Sequence, residues 1–425
     1  MKVTIVPSRV SGTVMSPRSK SSMQRACAAA LLRNGKTEIL LPGNSNDDLA
    51  ALDVIGKLGA VVTRGDDRIN VQSRGVHPLS AEVNCGESGL GIRMFTPIAA
   101  LSADPLVMTG SGSLVSRPMD FFDRILPRLG ITVRSNDGKL PLQVQGPLRP
   151  ADITVDGSLS SQFLTGLLMA YSAAGASGVT IRVENLRSRP YIDLTLSVMR
   201  SFGMHLPEVE GHEYFRFGKP SPGSGQELVR YAVEGDWSGA AFLIVAGAIS
   251  GGVRLRGLQA DSVQADRAIL DALSAAGGIY AFAEDVLQVH PCALRGFRFD
   301  ATECPDLFPP LVAMAAYAKG ISVLKGVGRL AHKESDRGLT LQEEFGKLGV
   351  SIELKGDEMH VHGGGPLRPA ATSSHHDHRI AMAVTVAALG AEGSVTVADA
   401  EAVKKSYPDF FEDMLSLGAV IKKSE

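Results

Sequence analysis

Ionisable residues crowd the stretch His332-Lys333-Glu334-Ser335-Asp336-Arg337, directly before residues 339–348, whose apolar positions recur at helical spacing. Gly349 then ends the predicted helix, since glycine readily adopts the left-handed conformation at a helix C-terminus. Free N–H groups and the positive end of the helix dipole attract anions at a helix N-terminus, and Lys and Arg side chains add full charges. The stretch therefore predicts an anion site, although a charged, solvated helix start fits the same residues when they are taken alone.

Several other helix starts carry the same kinds of residue. They lie at 19–25, 86–93, 117–118, 158–162, 188–191, 304–306, 375–379 and 404–408. Each of them alone fits an N-cap or a solvated charge. Together they concentrate cations at helix starts in a chain whose formal net charge is only −2. If these helix starts face one cleft, they bind a multiply anionic ligand pair, with Asp306 and Glu334 as the nearby acid–base groups. This pattern suits group transfer between phosphorylated and carboxylated small molecules.

Neither a metal nor an organic cofactor is expected. The string His375-His376-Asp377-His378-Arg379 contains potential metal ligands, but its spacing matches no standard site and the arginine would repel a cation. The cysteines form no CxxC pair and no zinc spacing; they are Cys27, Cys85, Cys292 and Cys304. Free thiols of this kind indicate a reducing compartment such as the cytoplasm.

Length and composition predict two domains and a cytoplasmic location. The chain has 425 residues, of which 44% are hydrophobic but only 5% aromatic, so small and aliphatic side chains must fill the cores. The nearly balanced charge gives no basis for binding nucleic acid or an acidic membrane surface. Residues 1–6 lack the apolar core of a signal peptide, and the apolar run 242–249 is too short to span a bilayer.

A helix–glycine–strand pattern recurs six times and supplies the elements that must position the charged residues. Its glycines are Gly59, Gly130, Gly203, Gly277, Gly349 and Gly418, which are separated by 71, 73, 74, 72 and 69 residues. A helix rich in Ala, Leu and Met precedes each copy; these predicted helices span 22–32, 90–101, 162–173, 238–249, 307–318 and 378–389. Each repeat thus reads strand, helix, strand, helix and further strands, which indicates a duplicated α/β subdomain rather than a solenoid.

Six repeats suggest two groups of three. The loop at 218–225 is rich in Gly, Pro and Ser and is the best linker between the third and fourth repeats. The N-terminal strand precedes the first repeat, and we expect it to join the far half of the chain. Two domains of three repeats would leave a cleft between them, where small-molecule sites often form.

Over nearly its full length, the chain resembles the 5-enolpyruvylshikimate-3-phosphate (EPSP) synthase family. The most specific motifs are Lys333-Glu334-Ser335-Asp336-Arg337, Asp377-His378-Arg379 followed by Ala381-Met382, and Ser19-Lys20-Ser21 with Arg25. The resemblance implies an α/β, two-domain enolpyruvyl transferase-like fold with six βαβαββ units, three per domain, around an interdomain cleft. It also implies that the chain crosses twice between domains, so that residues 1–12 and 234–425 form one domain and residues 13–233 form the other.

The resemblance also implies a reaction, the transfer of the enolpyruvyl group of phosphoenolpyruvate to the 5-hydroxyl of shikimate 3-phosphate with release of phosphate. Asp306 would take the proton of the attacking hydroxyl, and Glu334, with Lys20, would handle the proton at the enol carbon. The implied ligands of shikimate 3-phosphate are Lys20, Ser21, Arg25, Ser160, Ser161, Gln162, Ser188, Asp306 and Lys333. The implied ligands of phosphoenolpyruvate are Lys20, Gly89, Arg117, Gln162, Arg337, Arg379 and Lys405. The enzyme is expected to act as a cytoplasmic monomer without metal, cofactor, nucleic acid or membrane.

Some residues depart from the family pattern. They are Glu87 and Leu90 beside Gly89, Arg329, and His376 before the Asp-His-Arg motif. An acidic Glu87 close to an anion site is unexpected, unless it turns away or pairs with Arg93. Gly89 is retained, and in the family this glycine leaves room for the inhibitor glyphosate, so we expect glyphosate to inhibit the enzyme.

Two other functions fit parts of the pattern. A sister enzyme of the same fold transfers the enolpyruvyl group to UDP-N-acetylglucosamine and uses a loop cysteine in the second repeat, but residues 110–117 contain none. A non-catalytic anion-binding protein would need neither Asp306 nor Glu334, yet both carboxylates are present. The residues therefore favour the shikimate branch.

Overall fold

The structure, a computed structural model, describes residues 1–158, 160–220, 227–331 and 333–424. His332 at the start of the charged stretch, and residues 221–226 of the expected linker, lie outside the described residues. Among the described residues, no helix combines the length and the apolar character that a membrane crossing requires.

The described part of the chain alternates helices and strands throughout. Its α-helices are α1 (Lys20–Leu32), α2 (Asn46–Lys57), α3 (Gly89–Ala99), α4 (Phe121–Ile125), α5 (Gln162–Ala173), α6 (Arg189–Ser201), α7 (Trp237–Ala246), α8 (Ile269–Ala275), α9 (Phe308–Tyr317), α10 (Arg337–Lys347), α11 (His378–Ala388) and α12 (Phe410–Ser416). Its strands are β1 (Lys2–Val6), β2 (Gly12–Met15), β3 (Asn34–Leu40), β4 (Val61–Arg64), β5 (Arg68–Arg74), β6 (Glu82–Asn84), β7 (Leu106–Thr109), β8 (Thr132–Asn136), β9 (Lys139–Gln145), β10 (Ile153–Asp156), β11 (Val179–Glu184), β12 (Glu208–Glu210), β13 (Tyr214–Phe217), β14 (Leu228–Ala232), β15 (Val253–Arg256), β16 (Ile279–Ala283), β17 (Val286–His290), β18 (Arg298–Asp300), β19 (Gly320–Lys325), β20 (Ser351–Lys355), β21 (Glu358–Gly363), β22 (Ala371–Ser373), β23 (Val395–Ala398) and β24 (Val420–Ser424).

The strands form four-stranded sheets that all share one pattern. The six sheets have the orders β14-β3-β5-β4, β6-β7-β9-β8, β10-β11-β13-β12, β2-β15-β17-β16, β18-β19-β21-β20 and β22-β23-β1-β24. In each sheet the first two strands are parallel and the remaining neighbours are antiparallel. The six-fold βαβαββ repeat expected from the glycine spacing is therefore confirmed.

The repeat glycines adopt the backbone conformation that their position requires. All six have positive φ angles, which range from 64° at Gly203 to 110° at Gly59. A side chain at this φ would be strained, because the left-handed region crowds Cβ against the backbone. Each glycine thus lets the chain leave a helix and enter the following strand within a few residues.

The chain divides into two compact units. We call Met1–Ser19 with Glu234–Glu425 the terminal unit, and Lys20–Val233 the central unit. The first division between these units falls between Ser19 and Lys20, since β2 pairs in parallel with β15 and so belongs to the terminal unit. In the central unit, β14 takes the equivalent place beside β3. As expected, the N-terminal strand β1 joins the far half of the chain, where it pairs with β23 and β24.

Each unit is built around three buried helices, and all of these except α7 begin at or near candidate site residues. In the central unit these helices are α1, α3 and α5, which pack against one another. In the terminal unit they are α7, α9 and α11, which also pack against one another. Every residue of α3 and α11 is buried, as expected for helices that are apolar on all sides. The candidate site residues Gly89 and Arg379 lie in the first turns of these two helices.

Candidate active site

Lys20 begins α1 in the central unit and is held by a carboxylate. Its Nζ atom lies 2.9 Å from Oδ2 of Asp47, which is in the first turn of α2 and is nearly fully buried. The ammonium group is thereby fixed at a helix N-terminus. The sequence identified Lys20 but not Asp47, because the two residues lie on different helices and share no local motif.

Arg25 is buried on α1 among neutral acceptors. It donates to Thr195 Oγ1 at 2.9 Å, Thr165 Oγ1 at 3.4 Å, and the carbonyl oxygens of Ser21 at 2.8 Å and Tyr191 at 3.2 Å. Burial lowers the pKa of Arg25 to about 10. A full positive charge is thus held in the central unit by partners that carry no negative charge.

Gly89, Arg117 and Gln162 lie together, as their shared assignment to one substrate requires. A Cβ atom on Gly89 would stand 2.7 Å from Nη1 of Arg117 and 3.7 Å from Oε1 of Gln162. Arg93, one turn along α3, donates from Nη1 to Oε1 of Gln162 at 3.0 Å. Sequence reasoning assigned Arg93 no substrate role; its spacing of four residues from Gly89, which places it on the same helix face, was the available signal.

The serines of the central unit lie at the starts of α5 and α6. Ser160 Oγ accepts a hydrogen bond from the backbone N–H of Gln162 at 3.1 Å, and Ser161 is buried at the N-cap of α5. Ser188, which precedes α6, is also buried and has a left-handed φ of 59°. Ser160 and Arg93 line a cavity of about 320 Å³ within this unit. The Ser160 hydroxyl and the Arg93 guanidinium thus border open space within this unit.

Glu87, the unexpected acid of the glycine motif, lies against the neighbouring loop. Its carboxylate stands directly beside Gly112, where any added Cβ atom would overlap with it. Gly112 also has a positive φ of 56°. Glycine suits this position because it has no Cβ atom to overlap with Glu87 and because it adopts a positive φ without strain.

Arg337 is the centre of a charge cluster in the terminal unit. It begins α10, is fully buried, and donates to three carboxylates. Nε and Nη2 lie 2.9 and 3.2 Å from Asp377, Nη1 lies 3.0 Å from Asp306, and Nη2 lies 2.6 Å from Glu334. Burial alone would lower the pKa of Arg337, but Asp377, Glu334 and Asp306 outweigh it and raise the pKa. The guanidinium therefore holds both predicted acid–base carboxylates in fixed positions.

Asp306 precedes α9 and is surrounded by cations. Besides Arg337, it accepts from Lys333 Nζ at 3.2 Å and from Arg379 Nη2 at 3.2 Å. Burial alone would raise the pKa of Asp306, but Arg379, Lys333 and Arg337 hold it well below its usual range. In this state Asp306 is a weak base, so a role in proton removal requires ligands that draw these cations away.

Glu334 links Arg337 to Lys405. Lys405 Nζ lies 3.4 Å from Oε1 of Glu334, while Arg337 binds Oε2. Lys405 is not at a helix start, as residues 404–408 were expected to be; it ends the 3-10 helix Ala400–Lys405, and α12 begins only at Phe410. Pro408 explains the difference, because proline disfavours helical conformation in the residue before it.

Two further carboxyl groups of the cluster were missed as site residues. Asp377 caps α11 by accepting from the backbone N–H of Arg379 at 3.0 Å, and it also binds Arg337. Asp266 is buried and accepts from the hydroxyl of Ser238. Burial and then the negative charge of Asp306 raise the pKa of Asp266 to about 7. The position of Asp377 in the Asp-His-Arg motif could have identified it as a site residue. No local sequence feature distinguishes Asp266 in this way.

The chain is similar to named proteins over nearly its full length. The model of the family described as EPSP synthase (3-phosphoshikimate 1-carboxyvinyltransferase) matches residues 5–414. Proteins named 3-phosphoshikimate 1-carboxyvinyltransferase share 35% identity in Clostridium kluyveri, covering 99% of this chain and 98% of the relative, and 36% in Methanocorpusculum labreanum, covering 100% of both. The relative in Aeropyrum pernix is 38% identical, with 99% and 96% coverage.

Solved structures show the same fold. The EPSP synthase of Acinetobacter baumannii superposes with a TM-score of 0.82 at 25% identity and covers 100% of both chains. The enolpyruvyl transferase NikO of Streptomyces tendae superposes with a TM-score of 0.78 at 20% identity, covering 100% of this chain and 98% of that one. At that identity the second likeness concerns the fold alone.

Proposed function

The chain belongs to the EPSP synthase family, and on this premise we propose which of its residues carry the reaction. The enzyme transfers the enolpyruvyl group of phosphoenolpyruvate to shikimate 3-phosphate in the shikimate pathway, as 3-phosphoshikimate 1-carboxyvinyltransferases do. The assignment of residues rests mainly on one cluster, in which the buried Arg337 forms ion pairs with both Asp306 and Glu334.

Shikimate 3-phosphate is assigned to hydroxyl, amide and cationic groups. In the central unit these are Lys20, Ser21, Arg25, Ser160, Ser161, Gln162 and Ser188, and in the terminal unit Asp306 and Lys333. The neutral surroundings of Arg25 support the assignment, because a buried charge without a counter-charge is stabilised by an anionic ligand. Serines at helix starts suit phosphate, since they add donors to the free N–H groups there.

Phosphoenolpyruvate is assigned to a set rich in arginine and lysine. These residues are Lys20, Gly89, Arg117 and Gln162 in the central unit and Arg337, Arg379 and Lys405 in the terminal unit. Arginine suits the carboxylate because its planar fork can donate two parallel hydrogen bonds, and several cations suit the phosphate. The close approach of Gly89 to Arg117 supports this set, because only a residue without a side chain leaves the guanidinium in place.

Asp306 is proposed as the base that takes the proton from the attacking 5-hydroxyl. Without ligands, three cations keep its pKa low. Incoming phosphate and carboxylate groups compete for Lys333 and Arg379, and each cation drawn away raises the pKa of Asp306 toward a value useful for proton removal. Substrate binding itself thus activates the base.

Glu334, with Lys20, is proposed to protonate the methylene carbon of phosphoenolpyruvate as the 5-hydroxyl oxygen bonds to its C2. The resulting tetrahedral intermediate expels phosphate, and loss of a proton from its methyl group restores the double bond. Arg337 and Lys405 bind the two oxygens of Glu334 and so hold its carboxyl group in a fixed position. The cations also stabilise the departing phosphate.

A single chain in the cytoplasm is the proposed working form. The four cysteines are unpaired, which supports a reducing compartment.

Phosphate release tests this function directly. Purified enzyme is given shikimate 3-phosphate and phosphoenolpyruvate together and each alone, and release is expected only from the pair. A parallel assay replaces shikimate 3-phosphate with UDP-N-acetylglucosamine, for which no release is expected. Phosphate release with UDP-N-acetylglucosamine but not with shikimate 3-phosphate as the acceptor would assign the chain to the sister activity. No phosphate release with either acceptor would contradict transferase function.

A further inference from the structure

The turn at residues 373–376, which joins β22 to α11, has an unusual backbone. His375 and His376 have φ angles of 51° and 58°, so two successive residues with side chains lie in the left-handed region. Such a pair costs free energy and persists only where surrounding contacts enforce it. The contacts of this turn therefore indicate what its shape serves.

One set of contacts joins the turn to Asp399, the residue between β23 and the 3-10 helix Ala400–Lys405. The buried Ser374 donates from Oγ to the Asp399 carbonyl oxygen at 2.8 Å and accepts from the backbone N–H of His376 at 3.1 Å. Ser373 Oγ lies 3.2 Å from Oδ2 of Asp399 and accepts from the N–H of His375. Asp399 is itself left-handed, with a φ of 53°.

A second set joins the turn to Glu344 on α10. Glu344 is fully buried and accepts from the backbone N–H of Ser373 at 3.0 Å. Its other oxygen lies 2.6 Å from Nε2 of His375 and 2.7 Å from Nζ of Lys347. Glu344 lies two helical turns after Arg337, so both residues are on the same face of α10.

The three elements joined here carry three cations assigned to phosphoenolpyruvate. Arg337 begins α10, Arg379 lies in the first turn of α11, and Lys405 ends the 3-10 helix Ala400–Lys405. We propose that Ser373, Ser374, Glu344 and Asp399 are positioning residues that set Arg379 and Lys405 in register with Arg337 for phosphoenolpyruvate. We call this set the positioning bracket. It touches no substrate itself and acts through the elements that it joins.

The proposal rests on the assignment of these cations to phosphoenolpyruvate. Bidentate recognition of a carboxylate tolerates little displacement, and shifts of about 1 Å at distant positions can weaken a site strongly. A turn that contains two left-handed residues and is held by two anchors, one of which is itself left-handed at Asp399, has one preferred geometry. A loosened bracket should therefore weaken phosphoenolpyruvate binding while leaving shikimate 3-phosphate binding largely intact, because most ligands of the latter lie in the central unit.

Ser374→Ala is the first test, with Ser322→Ala as its matched control. Ser322 is a fully buried serine of the same unit whose hydroxyl accepts from the N–H of Phe297 at 3.4 Å, away from the bracket. Steady-state kinetics should show the KM for phosphoenolpyruvate rising about tenfold in Ser374→Ala, with the KM for shikimate 3-phosphate changing less than about twofold. Ser322→Ala should lower the Tm without this split. Equal changes in both KM values, or the same split in the control, would overturn the proposal.

A second pair remains informative if Ser374→Ala fails to fold. Asp399→Asn keeps an acceptor for Ser373 and tolerates a left-handed backbone, whereas Asp399→Ala does neither. The asparagine variant should retain the wild-type KM for phosphoenolpyruvate and the alanine variant should raise it. Identical KM values in the two variants would contradict the bracket.

Arg379→Lys separates failure of the bracket from failure of the proposed ligand set. It should raise the KM for phosphoenolpyruvate, because lysine cannot replace a bidentate guanidinium. If it does so while Ser374→Ala and Asp399→Ala do not, the bracket alone is wrong. If Arg379→Lys leaves the KM for phosphoenolpyruvate unchanged, the assignment of Arg379 to this substrate is wrong. The proposed role of the positioning bracket is then wrong as well, because it depends on that assignment.

Discussion

Arg25 in the central unit and Arg337 in the terminal unit are both buried arginines near helix starts, yet their surroundings differ in charge. Arg25 donates to two threonine hydroxyls and two carbonyl oxygens, and burial lowers its pKa to about 10. Arg337 donates to the carboxylates of Asp306, Glu334 and Asp377, which raise its pKa despite burial. The contacts of Arg25 named here include no negatively charged group, whereas those of Arg337 include three carboxylates.

The difference suggests a division of labour between the units. A neutral environment leaves the positive charge of Arg25 to be compensated by an anionic substrate, which favours binding. A carboxylate-rich environment places the proposed acid–base groups around Arg337, and the cations of this cluster hold the pKa of Asp306 well below its usual range. We therefore propose that the central unit mainly holds shikimate 3-phosphate, whereas the terminal unit supplies the carboxylates Asp306 and Glu334 for proton transfer.

Substitution of the proposed base should have the largest effect. Asp306→Asn is expected to lower kcat about 1,000-fold, because a positioned general base typically contributes a factor of this order. Both substrates should still bind, as measured by calorimetry. Ser161→Ala in the central unit should instead raise the KM for shikimate 3-phosphate with little change in kcat. An unchanged kcat in Asp306→Asn would show that Asp306 is not the general base. It would also contradict the proposal that the terminal unit supplies the groups for proton transfer.

Truncation of the two arginines should separate them by stability. Arg337→Met leaves three carboxylates without their shared partner and should cost about 3–5 kcal/mol in the free energy of unfolding. Arg25→Met should cost far less, because Thr165 and Thr195 remain hydrogen-bonded to each other at 2.9 Å and to backbone carbonyls. Urea denaturation measures both. Equal losses would show that the carboxylates around Arg337 do not depend on its charge.

The free energy of unfolding should depend on pH through the buried carboxyl group of Asp266. The pKa of Asp266 is raised to about 7, so between about pH 4 and 7 the folded protein retains a proton that the unfolded chain has lost. Stability relative to Asp266→Asn should therefore fall as pH rises through this window, by at most about 1.4 kcal/mol per pH unit. Urea denaturation from pH 4.5 to 8 would measure the slope.

Asp48 of the central unit serves as the matched control for this titration, since burial also raises its pKa to about 7. Removal of the neighbouring charge by Asp306→Asn should move the Asp266 window to lower pH, because that charge contributes to the raised pKa. The same substitution should leave the Asp48 window unchanged. A common shift in both windows would mean that the effect does not arise from the local cluster.

Gly89→Ala should have the smallest effect of the series. The new methyl group would stand 2.7 Å from Nη1 of Arg117 and displace the end of that side chain, so the KM for phosphoenolpyruvate should rise about fivefold. Glyphosate is expected to inhibit the wild-type enzyme at micromolar concentration and the variant less strongly. Gly56→Ala on α2, where a Cβ meets nothing within 4 Å, should change neither value. Turnover untouched by micromolar glyphosate in the wild type would contradict the expected sensitivity.

Local sequence signals predicted the repeating architecture well. The six glycines mark helix ends because left-handed backbone favours glycine, and the buried helices are recognisable because they are apolar on all sides. α5 spans the residues expected for it, and α11 ends one residue before the predicted limit. The pairing of β2 with β15, which brings residues 12–15 into the terminal unit, joins residues about 240 apart in sequence and leaves no local trace.

The residue types of the site were evident in the sequence by itself, since cations and serines at helix starts have a recognisable chemistry. Only the tertiary structure decided which of them meet. Arg337 begins α10 whereas Asp377 caps α11, and Lys20 and Asp47 also lie on different helices. The low pKa of Asp306 arises from three cations on two distant segments, Lys333 and Arg337 on one and Arg379 on the other. Such pairings depend on how helices pack, and packing is determined by the whole core rather than by residues near each charge.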